Sequence, residues 1–128
     1  MATPPAEYPV VLSVIQIYNY DKKFDYRTEV IGASFRKTGE ITELTGCDLL
    51  TIAPALLAEL PASTAPLTRK LDRAAAADLP IEKVTLDERA FRYAINEDAM
   101  ATEKTTAGSR GFTADILKLE KLSAGKIG

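Results

Sequence analysis

The stretch Glu29–Glu40, EVIGASFRKTGE, puts Ser34 and Arg36 directly after an extended apolar pair and just before a helix signal. Those residue types suit an oxyanion, and phosphate in particular. Arginine presents a rigid planar fork of donors, serine adds a hydroxyl, and a following helix start adds free backbone N–H groups. In parallel β/α folds ligands sit beyond the carboxyl ends of the strands, which is where this pair would fall. The spacing alone leaves a second reading open, in which Ser34 ends a strand and Arg36 is a solvated surface charge.

Other chemistry is thinner. The chain has no histidine and a single cysteine, Cys47, which excludes an internal disulfide, a zinc site built on Cys and His, and any His-based triad. The nine lysines, from Lys22 to Lys126, fall in polar helical or loop contexts. A nucleophilic lysine needs desolvation to lower its pKa, so none reads as a Schiff-base lysine. Glu97 and Asp98 read as a complement to a helix dipole rather than as metal ligands. Cys47 precedes an apolar strand and is expected to be a small buried residue, and Met100 and Phe112 to be core. No catalytic residue, metal or cofactor is read from the chain itself.

With 128 residues, 46% of them hydrophobic and 27% charged, the composition is that of a soluble, intracellular globular protein. A formal charge of −2 without a basic block argues against a nucleic-acid partner, which would want clustered Lys and Arg. The apolar run VVLSVIQI, from Val10 to Ile17, is too short to span a membrane and has no basic region before it.

The elements that must position Ser34 and Arg36 follow from periodicity. Residues 1–9, Pro-rich and polar, read as a flexible leader. Val11, Val14, Ile15 and Tyr18 share one helical face, and Lys22 and Lys23 suit the negative end of that helix, which is expected to close near Phe24. Val30 and Ile31 then make a short buried strand in which Gly32 and Ala33 allow close packing. Thr38 is expected to cap a helix carrying Ile41 and Leu44, with Gly46 ending it in the left-handed conformation. DLLTIA, from Asp48 to Ala53, is a second, continuously apolar strand. Pro54 opens a third helix, which Pro61 and Pro66 close. Residues 10–66 therefore read as a helix followed by two β/α units, and 67–128 as an Ala-rich connection and two C-terminal helices. Thr85 and Glu88 form a capping box for the first of these, and the second runs from Asn96 to about Leu122 across Gly108 and Gly111.

These residues carry a resemblance. IYNYDKKFDYRTEVIGASFRKTGEITELTGCDLLTIAPALLAEL and FRYAINEDAMATEK are similar to the C-terminal part of transaldolase, and the similarity extends from about Ser13 to Glu120. It implies an α/β fold, a partial TIM (β/α)8 barrel made of the last two β/α units and the C-terminal helices. A complete barrel needs at least about 200 residues. It also implies a cytoplasmic transferase of the pentose phosphate pathway, moving a dihydroxyacetone unit between sugar phosphates through a lysine Schiff base. In that family the serine and arginine of GASFR hold the substrate phosphate, so Ser34 and Arg36 inherit the role. The Schiff-base lysine and the acid/base carboxylates lie on earlier strands that this sequence does not contain.

The chain departs from the family at Ser109 and Gly111, where a large apolar residue and a lysine are usual, and at Asp21, where an aromatic residue is usual. Two expectations follow: a transaldolase portion, a fragment or truncated product inactive by itself, or a non-catalytic module that binds a sugar phosphate or pairs with an N-terminal transaldolase segment. Strand counting adds a third. Unpaired strand edges and an uncovered inward face bearing Val30, Ile31, Leu50 and Ile52 would leave the isolated chain marginally stable and prone to self-association.

Overall fold

The computed structural model describes residues 3–128. They divide into two compact units, Met1–Lys83 and Val84–Gly128. The first unit holds α1 (Pro9–Lys23), β1 (Ile31–Gly32), α2 (Thr38–Glu43), β2 (Leu49–Leu50), α3 (Pro54–Glu59) and α4 (Arg73–Ala77). The second holds α5 (Glu88–Glu97) and α6 (Ala99–Ile127). The chain is mostly helical, with one parallel pair of strands in register Ile31↔Leu49 and Gly32↔Leu50.

In α1 the expected face is the buried one, carrying Val11, Val14 and Tyr18. The helix closes as a Schellman motif, with the Tyr26 N–H donating to the Asp21 carbonyl at 2.9 Å and Asp25 in the left-handed conformation at φ 58°. Lys22 and Lys23 do not turn back on their own helix. Lys22 Nζ reaches Asp48 at 2.6 Å and Lys23 Nζ the Ala77 carbonyl at 3.0 Å, so the end of α1 is tied to β2 and α4.

Both strands are shorter than expected, but the backbone bonds Leu49 N–H to Val30 O (3.2 Å) and Thr51 N–H to Gly32 O (2.8 Å) extend the pairing by a residue on each side. Helices cover one face of this ribbon. Because side chains alternate along a strand, Val30 is 5% exposed and lies in the core with Phe35, Ile41 and Leu44, while Ile31 and Leu49 on the other face are 55% and 47% exposed. The expectation that Val30 would share the uncovered face is corrected by this alternation. Leu50 and Ile52 are half-buried against the same core.

Gly32 is packed on three sides by side chains. A Cβ there would lie 2.9 Å from Leu50 Cδ2, 3.0 Å from Phe35 Cζ and 3.3 Å from Leu44 Cδ1. Gly46, at φ 104°, does reverse the chain after α2, and it packs so tightly that a Cβ would fall 2.0 Å from the Leu71 carbonyl oxygen. That contact docks residues 69–72: the Lys70 and Leu71 N–H groups both donate to the Thr45 carbonyl at 2.9 Å. The Ala-rich connection is therefore partly ordered, with Asp72 capping α4 through the Ala74 N–H at 2.7 Å and Ala76 buried.

Several local expectations are corrected. Lys37, not Thr38, stands at the N-cap of α2, and no side chain caps that helix. Asp87 rather than Thr85 caps α5, its carboxylate accepting from the Ala90 N–H at 2.7 Å; a charged acceptor gains from the helix dipole what a hydroxyl does not. Pro61 sits within a 3-10 turn, Leu60–Ala62, that prolongs α3. Cys47 is half-buried, its Sγ 3.3 Å from the Val30 carbonyl. Within the second unit Asp98 caps α6 through the Ala101 N–H at 2.9 Å, and α6 runs unbroken through both glycines. Met100 and Phe112 are 72% and 77% exposed rather than core, because nothing in the second unit lies over that side of the helix. Among the described residues no helix is long and apolar enough to cross a membrane.

Candidate functional site

The two ends of the strand pair have different characters. At the amino end, Asp48 accepts from Lys22 Nζ (2.6 Å) and from the Val30 N–H (2.8 Å), which locks the starts of β1 and β2 to α1. Burial works against its carboxylate, but those two hydrogen bonds and the charges of Lys22 and Arg73 outweigh it and hold the pKa below the ordinary value. Lys22 departs from the expectation of a polar helical or loop context for every lysine, since its side chain is only 9% exposed. Its ammonium is engaged in an ion pair with Asp48 at the end of the strands away from Ser34 and Arg36.

At the carboxyl end, past β1, the chain turns at Ser34, whose φ of 63° is left-handed. Only Gly, and less often Asn or Asp, takes that conformation without a cost of about 1–2 kcal/mol. Phe35 then drives into the core, 9% exposed, between Ser34 and Arg36, which stay at the surface. The S-F-R order thus works as a peg with a polar group on either side. Ser34 and Arg36 come together in one cleft of about 470 Å³, completed by Tyr8, Pro9, Val10, Lys37 and Glu40.

Neither the Ser34 hydroxyl nor the Arg36 guanidinium has a protein partner among the described residues. Both remain free to donate. The Arg36 backbone N–H donates to Glu40 Oε2 at 3.4 Å, which engages the one carboxylate of the cleft. Glu40 itself is buried. The expected contribution of a helix start is small, since α2 has only 6 residues and its dipole is correspondingly short. What the cleft offers is a serine hydroxyl, a forked cation and a second cation, Lys37, a set of donors suited to an anion.

Tyr8, Lys37 and Glu40 were not singled out from the sequence. Lys37 had a signal, its adjacency to Arg36; Tyr8 had none, because only the packing of the first residues on α2 brings it to the cleft. A second cleft of about 570 Å³ lies between α2 and residues 63–70, with Ile41, Leu50 and Leu60 among its lining residues. Its lysine, Lys70, is already paired with Glu43 at 3.7 Å. Among the described residues no three His, Cys, Asp or Glu side chains converge to hold a metal ion.

The profile of the family described as Transaldolase/Fructose-6-phosphate aldolase matches residues 3–123. A protein named transaldolase from Methylococcus capsulatus (strain ATCC 33009 / NCIMB 11132 / Bath) is 59% identical over 123 residues, which is 96% of this chain and 37% of that protein. The chain thus spans little more than a third of the length of this relative.

Proposed function

Since the chain belongs to the Transaldolase/Fructose-6-phosphate aldolase family, we propose that it forms the last two β/α units of a (β/α)8 barrel and carries the phosphate end of a transaldolase site. The observation that carries the reading is Ser34. A serine holds a left-handed position that glycine would fill at lower cost, beside an arginine without a partner, at the carboxyl end of a parallel strand. Arg36 would take two phosphate oxygens through its fork while Ser34 donates to the third. Gripping the phosphate fixes the sugar carbonyl at a set distance from the nucleophile, so that binding far from the reacting carbon lowers the entropic part of the barrier.

The nucleophilic lysine and the acid/base carboxylates would come from outside these residues. Lys22, the enclosed lysine, is neutralised by Asp48 at the opposite end of the strands from the cleft. The exposed face of Ile31 and Leu49 is then the inner wall of the barrel, and the free strand edges are where the remaining strands pair. Alone, the chain would bind a sugar phosphate weakly and move no dihydroxyacetone unit.

Borohydride trapping with fructose 6-phosphate tests this. The chain by itself is expected to form no covalent adduct. With the remaining N-terminal part of the Methylococcus capsulatus relative supplied in trans, the adduct is expected on a lysine of that part. A specific adduct on any lysine of this chain would overturn the reading.

A further inference from the structure

We propose that Lys37, steered by Tyr8, is a second cation for the phosphate in the Ser34/Arg36 cleft, and that the two cations together favour the dianion; this inference rests on the phosphate reading above. Lys37 has extended backbone angles, φ −140° and ψ 148°, and consecutive side chains of extended backbone point to opposite sides. On that ground Lys37 should turn away from Arg36. Instead it lines the same cleft, because Tyr8 holds it there: Nζ lies 3.4 Å from the Tyr8 hydroxyl and 5.8 Å from the centre of its ring.

Tyr8 is a stiff post. It precedes Pro9, which confines it to its extended conformation of φ −68° and ψ 136°. Its N–H donates to the Pro5 carbonyl at 3.2 Å, and Pro5 packs on Gly39 of α2 so closely that a Cβ there would fall 2.8 Å from Pro5 Cγ. The post is therefore braced against the helix that follows Lys37.

Lys37 has no carboxylate partner among the described residues. A long hydrogen bond to a phenol and an exposed cation–π contact together hold it only weakly, and both can be exchanged for a phosphate oxygen. The charged and titratable groups facing that oxygen are Arg36, Lys37, Glu40 and Tyr8. Two cations against one carboxylate leave one positive charge. A phosphate ester loses its second proton near pH 6, so a cleft with Lys37 in place should discriminate between the two protonation states more than one without it.

The test is an NMR titration of the full chain with fructose 6-phosphate at low ionic strength. At pH 7.5, Lys37→Gln is expected to weaken binding roughly fivefold, the loss of one exposed charge-assisted contact, and Lys37→Arg to stay within about twofold of the parent. Between pH 7.5 and 5.5 the parent should lose affinity as the ester takes up a proton, and Lys37→Gln should lose distinctly less. If Lys37→Gln binds as tightly as the parent while Arg36→Lys is weakened, or if Lys37→Arg is as weak as Lys37→Gln, the second cation is overturned and the phosphate reading stands. If Arg36→Lys is also unaffected, or the parent shows no saturable binding, both fall.

Discussion

Gly32→Ala should damage the Ser34/Arg36 cleft without touching any group in it. The added methyl would meet Leu50 Cδ2 at 2.9 Å, Phe35 Cζ at 3.0 Å and Leu44 Cδ1 at 3.3 Å. Leu44 is fully buried and cannot retreat, so the strain falls on Leu50 and Phe35. Overfilling a packed core costs about 1–3 kcal/mol, and the loss of unfolded-chain freedom on replacing glycine returns about 0.4–1 kcal/mol. A net loss of about 1–2 kcal/mol is expected in urea unfolding, or roughly 4–8 °C in Tm for each kcal/mol in a unit of this size. Phe35 is the peg between Ser34 and Arg36, so its withdrawal should also weaken fructose 6-phosphate binding. Adding Leu50→Val removes the nearest obstructing methyl, and the double variant should be more stable than the sum of the single losses implies. A Gly32→Ala chain as stable as the parent, with unchanged affinity, would refute the claim that this packing positions the site.

Gly46→Ala should cost about 2–5 kcal/mol, since it combines a left-handed backbone with a clash against the Leu71 carbonyl; limited proteolysis should find residues 69–72 undocked. Asp48 has a folded-state pKa below its ordinary value of 3.8, so its contribution is complete above that value and fades as the pH falls through the folded pKa. Asp48→Asn should remove about 1 kcal/mol at neutral pH and flatten the acid limb of a stability profile measured by urea unfolding. Gly111→Ala, where nothing lies within 4 Å of the new methyl, should stabilise α6 by up to about 1 kcal/mol, read from the helical signal on heating the chain.

Local rules were legible where one residue decides the outcome. Pro54 opens α3, Gly46 reverses the chain, and the Val11, Val14, Tyr18 stripe is the buried side of α1. Ser34 and Arg36 were legible as candidates because their types are informative and the strand before them is short and apolar. What escaped depends on tertiary packing. The Lys22–Asp48 pair joins residues far apart in sequence, and Tyr8 reaches the cleft only because Pro5 lies on Gly39. In α4, Asp72 caps an alanine run that was expected only as part of an Ala-rich connection. The apolar residues of α6 show the reverse failure: their spacing implies a covered face, yet Phe112, Ile116 and Leu119 are exposed, and periodicity cannot say whether the covering surface belongs to the same stretch of chain.

The central claim is that Ser34 and Arg36 form a phosphate site, and amide shift mapping of the isotope-labelled chain with fructose 6-phosphate and with fructose tests it most directly. Saturable shifts centred on Ser34, Arg36 and Lys37 with the phosphorylated sugar, and none with fructose, are the predicted result. Equal shifts with both sugars, or shifts centred on the cleft between α2 and residues 63–70, would contradict it.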